Sequence, residues 1–162
     1  PVVLEGGTVG SNTIFANSTS ARILMSSPAN WWNPDYAYRQ RLTIMNNNLT
    51  TSITSMFTFG LTMDAQALVL VGKLRPDGND FRIVLWNSSS SSWIQIDRLN
   101  MTNFNTSSTT IRFAAQKSIP PGGTDSDYYV YYGNSNAAAA PSDGRNVYLF
   151  EDLFEMSEIA GH

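Results

Sequence analysis

The chain has 162 residues, no cysteine, a single histidine at His162, 14% charged residues and a formal net charge of −3. The missing cysteines exclude disulfides, thiol nucleophiles and thiolate zinc sites, and a lone terminal histidine leaves no basis for a Ser-His-Asp triad or a multi-histidine metal centre. Ten basic against thirteen acidic residues argue against a nucleic-acid partner, which needs clustered Lys and Arg.

The length suits one domain plus a short arm, and such a domain buries enough apolar surface to fold without staples. Solubility rests on uncharged groups, with 19 Ser, 14 Thr and 15 Asn. Such surfaces are common on secreted and cell-surface β-proteins, so the expected location is secreted, extracellular or cell-surface. With 12% aromatics and many β-branched residues, the composition predicts a packed β-fold rather than disorder. The chain starts at Pro1 without a basic, then apolar, leader, which reads as a removed signal or an excised fragment. The longest apolar run, Ala67 to Val71, is far short of a membrane span.

Residues 1–30 read as an extended N-terminal arm. They carry Gly6, Gly7 and Gly10, and two short strand-like stretches, Thr13 to Ala16 and Ala21 to Met25, neither with an obvious hairpin partner. Residues 31–150 read as the main domain. Tyr36 to Met45 alternates, with Tyr38, Leu42 and Ile44 on one face and Arg39, Arg41 and Thr43 on the other. Asn46-Asn47-Asn48 marks a turn. Ser55 to Met63 alternates again, with Phe57, Phe59, Leu61 and Met63 on one face. Ala65 to Val71 fits a short helix or a buried strand, and its length does not decide between them. Pro76 to Asp80 is a turn; Phe81 to Trp86 and Trp93 to Asp97 read as a hairpin around a polar link. Thr109 to Ala114, Tyr128 to Tyr132 and Val147 to Phe150 read as further strands, and Ala137 to Ala140 as a linker or helical turn. In the tyrosine strand, Tyr129 and Tyr131 share one face while Tyr128, Val130 and Tyr132 share the other; one set is expected in the core. Residues 151–162 form an acidic tail or junction. Short strands with turns between them and no long amphipathic helix predict an all-β antiparallel β-sandwich, of jelly-roll or Ig-like type, with an extended N-terminal arm.

Three motifs carry a family resemblance: Trp32-x-x-x-Tyr36-x-Tyr38-Arg39, then Leu74-Arg75-Pro76-Asp77-Gly78-Asn79-Asp80-Phe81-Arg82, then Tyr128-Tyr129-Val130-Tyr131-Tyr132-Gly133-Asn134. In order and spacing they resemble a domain of unknown function found in secreted and surface proteins of bacteria and archaea. That domain often precedes a concanavalin-A-like or laminin-G-like lectin domain. The resemblance covers roughly residues 31–155, and the acidic Phe150 to Phe154 stretch resembles the junction with such a lectin domain. It brings no catalytic residues.

Candidate sites follow from residue chemistry. Trp31, Trp32 and Tyr36 form a candidate sugar-stacking platform, with a cap on the core where the arm enters as the simpler reading. Asp77 and Asp80 are weak candidates for calcium, with a turn pinned by an Arg–Asp pair as the simpler reading; no cofactor is expected. Asp125 and Asp127 offer a fainter version of the same metal reading. Sequons occur at Asn17, Asn48, Asn87, Asn100 and Asn105. Asp35, Asp64, Asp77, Asp80 and Asp97 form no evident catalytic pair, so no enzyme is expected. The favoured expectation is an extracellular structural or adhesive subunit, pilus-like, forming a homopolymer by N-terminal strand donation with Val9, Ile14, Phe15, Ile23 and Leu24 as anchors. The alternative is a carbohydrate-binding module with glycans as partners.

Overall fold

The structure, a computed structural model, describes residues 31–101 and 103–149. The chain divides into two units, Pro1–Trp31 and Trp32–His162. The expected arm (1–30) and acidic tail (151–162) lie outside the described residues, and with them Val9, Ile14, Phe15, Asn17, Ile23 and Leu24.

Seven strands are described: β1 Tyr38–Met45, β2 Thr58–Met63, β3 Arg82–Asn87, β4 Ser92–Ile96, β5 Leu99–Asn100, β6 Thr109–Ala114 and β7 Thr124–Tyr132. They form two antiparallel sheets, one of order β1-β7-β3-β4 and one of order β2-β6-β5. The period-two patterns form strands because each leaves one apolar row to bury. Ile83, Leu85, Tyr128 and Val130 from the larger sheet meet Ile111 and Phe113 from the smaller in one buried cluster with Phe81, Ile96 and Phe104. Each fully buried Ile or Phe there contributes about 1.5–3 kcal/mol relative to exposure. The chain is therefore all-β and sandwich-like.

The connections fix which strands end each sheet. β4 and β5 are separated only by Asp97 and Arg98, so β5 lies at the β4 side of the molecule. β1 and β2 consequently end their sheets on the opposite side. β1 carries an irregularity between Leu42 and Ile44, which shifts its register against β7.

Several local expectations resolve or change. Ala65–Leu70 is a helix, α1, because the Asp64 side chain accepts from Ala67 N at 2.9 Å and caps its first turn. β2 starts at Thr58 rather than Ser55; Met56 just before it adopts φ 66°, which an extended strand cannot contain. No strand covers Val147 to Leu149. A short 3-10 turn, Gly144–Asn146, precedes them, capped by Asp143, and Val147 is fully buried while its carbonyl accepts from Thr58 Oγ1 at 2.6 Å. The two-residue strand β5 is an element the sequence pattern does not predict.

Candidate functional site

The three sequence motifs, far apart in the chain, converge at one corner of the four-stranded sheet. Asp80 is 1% exposed. Its Oδ1 accepts from Arg75 N at 3.0 Å and its Oδ2 from Gly133 N at 2.9 Å, so one carboxylate ties the second motif to the third. Arg75 reinforces the same link, donating to the carbonyls of Ser135 (3.0 Å) and Ala137 (2.9 Å). Arg82 Nε donates to the Tyr36 hydroxyl at 2.9 Å, and the Trp32 N–H donates to the Tyr131 hydroxyl at 3.1 Å, which bring in the first motif. The glycines are required by this corner. Gly78 and Gly133 have φ of 68° and 86°; a Cβ at Gly78 would overlap the Phe104 ring, and one at Gly133 would lie 2.6 Å from Tyr38 Cδ2.

Arg98, which no sequence motif includes, completes the corner from below. It is buried and donates to the carbonyls of Phe81 (2.8 Å) and Gly78 (2.6 Å) and to Asn100 Oδ1 (2.5 Å). Burial, together with the like charge of Arg82, pulls its pKa down to about 10, so it stays charged at neutral pH. Nothing in its sequence position distinguishes it except its place between two strands.

The candidate metal ligands are occupied by protein donors. Asp77 takes a bidentate pair from Arg75, at 3.0 and 2.5 Å, and two further bonds from Asn79. The Arg75 hydrogen bond holds the Asp77 carboxyl below the usual range. Asp125 is buried, pairs with Lys117 at 3.3 Å and accepts from Asp127 N; Lys117 also pairs with Asp127 at 2.6 Å. Burial alone would lower the Lys117 pKa, but these two carboxylates raise it. No cluster of three or more metal-ligating side chains occurs among the described residues.

Of the candidate stacking residues, Trp31 is 39% exposed, Trp32 is half-buried and Tyr36 is buried. Trp32 packs on Tyr36 at 5.1 Å and edge-on to Tyr131 at 5.5 Å. These rings belong to a second buried cluster, with Val84 and Tyr129, on the outer face of the four-stranded sheet. Trp86 and Trp93 pack against it, T-shaped to each other at 5.1 Å, and Arg39 and Arg41 lie over the Tyr129 ring at 5.3 and 5.7 Å. Both faces of the tyrosine strand are thus buried, one in each cluster.

An open cleft of about 260 Å³ is lined by Met56, Gln95, Ile96, Asp97, Gln116 and Asn146. Its one carboxylate, Asp97, accepts from Asp143 N at 2.8 Å and Asn146 Nδ2 at 3.0 Å. The other acids considered for catalysis also serve local structure: Asp64 caps α1 and Asp35 sits in an exposed turn. The described sequon asparagines lie at exposed or half-exposed positions: Asn48, Asn100 and Asn105 are exposed and Asn87 half-buried.

The sheet edges differ in chemistry. β1 carries Arg39 and Arg41, whereas β2 (TFGLTM) and β4 (SWIQI) carry neither charge nor proline. Among the described residues no strand pairs with the outer edge of either. Such an edge is a template for an incoming strand. No described helix is long and apolar enough to cross a membrane. Comparison with family models, curated proteins and solved structures gives no match to this chain.

Proposed function

We propose that the chain is a non-enzymatic extracellular structural or adhesive protein, a subunit of a cell-surface filament or layer that assembles by strand donation. The donor is the N-terminal segment of a neighbouring copy and the acceptor is the outer edge of β2. The membership of residues 31–155 in the surface-protein domain family belongs to the same proposal.

The observation that carries the reading is the unequal pair of sheets. With β4 and β5 on one side, the three-stranded sheet runs out at β2 while the larger sheet ends in β1. Leu42 and Ile44 on β1 and Phe59, Leu61 and Met63 on β2 pack on the core but remain only partly buried. A fourth strand beside β2 covers that apolar row and satisfies the free backbone groups. The edge has a definable register. Met101 N donates to Thr110 O, so Thr110 faces β5 and its neighbours Thr109, Ile111 and Phe113 face β2. Their partners Met63, Leu61 and Phe59 bond inward, and Thr58, Gly60 and Thr62 present their N–H and C=O groups outward. A donor from the next copy in a head-to-tail arrangement gives an open chain of subunits.

Electron microscopy of the full chain, of a variant lacking residues 1–25 and of Gly60→Pro tests this. Proline removes one outward N–H and leaves the β6 ladder intact. Filaments from the full chain alone support the reading. Unchanged filaments from the truncated chain would defeat it.

The alternative, a carbohydrate-binding module, rests on Trp31, Trp32 and Tyr36. Of these, Trp31 has the most accessible ring, since Tyr36 is enclosed by Trp32 and Tyr131. Glycan binding that is lost in Trp31→Ala would favour it.

A further inference from the structure

We propose that Asn48, Asn87 and Asn105 are modified with N-linked glycans, and that Asn100, although also in a sequon, is not modified in the folded chain. Neither half of this proposal depends on strand donation.

The geometry of the amide groups carries the distinction. In Asn48-Leu49-Thr50, the Asn48 Oδ1 accepts from Thr50 N (2.8 Å), Thr51 N (2.9 Å) and the Thr50 hydroxyl (3.0 Å). In Asn87-Ser88-Ser89, the Asn87 Oδ1 accepts from Ser89 N at 3.0 Å and Ser90 N at 3.4 Å. Both are turns in which the carbonyl oxygen is tied back to the chain two residues on. The Nδ2 on the other side of the amide donates no hydrogen bond to a described residue. Asn105, exposed in the loop before β6, has neither amide atom engaged by a described residue. By contrast Asn46, Asn79 and Asn146, none in a sequon, commit their Nδ2 to Thr51, Ile119 and Pro120 carbonyls, to Asp77 and to Asp97 respectively.

Asn100 is held differently. Its backbone pairs with Ile111 in β5, the next residue donates to Thr110 O, and its Oδ1 accepts from the buried Arg98 at 2.5 Å. A transferase that must draw the sequon into its own groove has to break the β5 pairing and take from the buried Arg98 guanidinium one of its three acceptors. Asn87 also ends β3 opposite Ser92, but the amides of Asn48, Asn87 and Asn105 have no charged partner among the described residues. None of these sequons lies on β1, β2 or β4, so glycans there leave the unpaired strand edges clear.

The reaction is a group transfer. The Asn Nδ2 forms a bond to C1 of the reducing-end sugar of a lipid-diphosphate-linked oligosaccharide. The C1–O bond breaks, the lipid diphosphate leaves with the electron pair, and the amide proton passes to a base of the transferase. The hydroxyl of the residue two positions on is the recognition element.

The test uses the purified folded chain, an oligosaccharyltransferase with its lipid-linked oligosaccharide, and a sequon peptide as positive control, read by glycopeptide mass spectrometry. Mass increments at Asn48, Asn87 and Asn105, each lost in its Asn→Gln variant, and none at Asn100 are expected. A second variant adds a gain of site. Asn134 forms the same turn, its Oδ1 accepting from Asn136 N at 3.0 Å, but lacks the hydroxyl two residues on. Asn136→Thr should therefore create a modified Asn134. An unmodified chain beside a modified control peptide, or modification at Asn100 equal to that at Asn48, overturns the proposal.

Discussion

Removing the Asp80 carboxylate should unfasten the corner where the three motifs meet. Asp80 is essentially unexposed and accepts two backbone N–H groups, from Arg75 and Gly133, at 3.0 and 2.9 Å. Each hydrogen bond to a charged group contributes about 1.5–3 kcal/mol, and the partners left behind are themselves partly desolvated. Asp80→Ala should thus destabilise by about 4 kcal/mol. Asp80→Asn keeps one acceptor and the side-chain shape but turns an NH₂ toward the other N–H, so about 2 kcal/mol is expected. Arg98, already pulled down to about 10 by burial and Arg82, loses an opposing favourable charge in both variants. Urea unfolding followed by tryptophan fluorescence should give midpoints in the order wild type, Asn, Ala, with slopes unchanged. Millimolar calcium should not shift any of them, because the Asp77 and Asp80 oxygens are already taken. Two variants within about 0.5 kcal/mol of wild type, the range of an ordinary surface change, would refute the clamp. A calcium-dependent rise of the wild type alone would restore the metal reading.

Neighbouring residues supply further tests. Gly78→Ala forces a side chain into φ 68° and against Phe104, so a loss of about 2–4 kcal/mol is expected by the same unfolding assay, and wild-type stability would contradict it. Tyr36→Phe leaves the buried Arg82 Nε without its acceptor at 2.9 Å and should cost about 1–3 kcal/mol, and wild-type stability would contradict that role. Hydrogen bonds from Arg75 and Arg145 hold the Asp77 and Asp143 carboxyls below the ordinary aspartate range. A lowered folded-state pKa means their contribution is present above the unfolded value and is lost as pH falls through the folded one. Stability measured from pH 7 downward should therefore start to drop through these groups only near about pH 4 and below, and Arg75→Gln should weaken that acid-side slope.

The sequence showed the strands best where one row of side chains had to be buried. The alternation in β1 and β2 was visible because neighbouring residues differ in polarity, whereas β3, β6 and β7 were legible as short apolar or β-branched runs between turns. The tyrosine strand was half legible. Its two faces were separable by period, but the burial of both depended on rings from Trp32, Trp86 and Trp93, which period cannot reveal. β5 has two residues and no pattern to read. Val147 looked like the start of a strand because it is apolar beside Tyr148 and Leu149; instead the Asp143 cap turns the chain and buries Val147. The motif residues were found, and the Arg–Asp pair that pins the turn is there as Arg75 with Asp77, but the reach of Asp80 was not legible. Asp77 and Asp80 share a turn in sequence, yet one binds Arg75 at the surface while the other reaches across to Gly133, and only tertiary structure separates those roles. Arg98 had no signal at all, and Asn46 signalled only a turn. Each is a buried polar side chain whose partners are main-chain carbonyls or distant residues.

Filament assembly, as proposed, requires a strand from one copy to pair with β2 of another. The absence of cysteine from the chain makes cross-linking a direct measurement of that pairing. One set of chains carries a single cysteine at Thr13, Ile14, Phe15 or Ala16, and the other carries Gly60→Cys on the outward row of β2. Mixed and oxidised under assembling conditions, they should give disulfide-linked pairs, strongest for one donor position and its neighbour two residues away. Chains that assemble without any such cross-link, or that cross-link equally to a cysteine placed on β4 at Gln95, would contradict strand donation to β2.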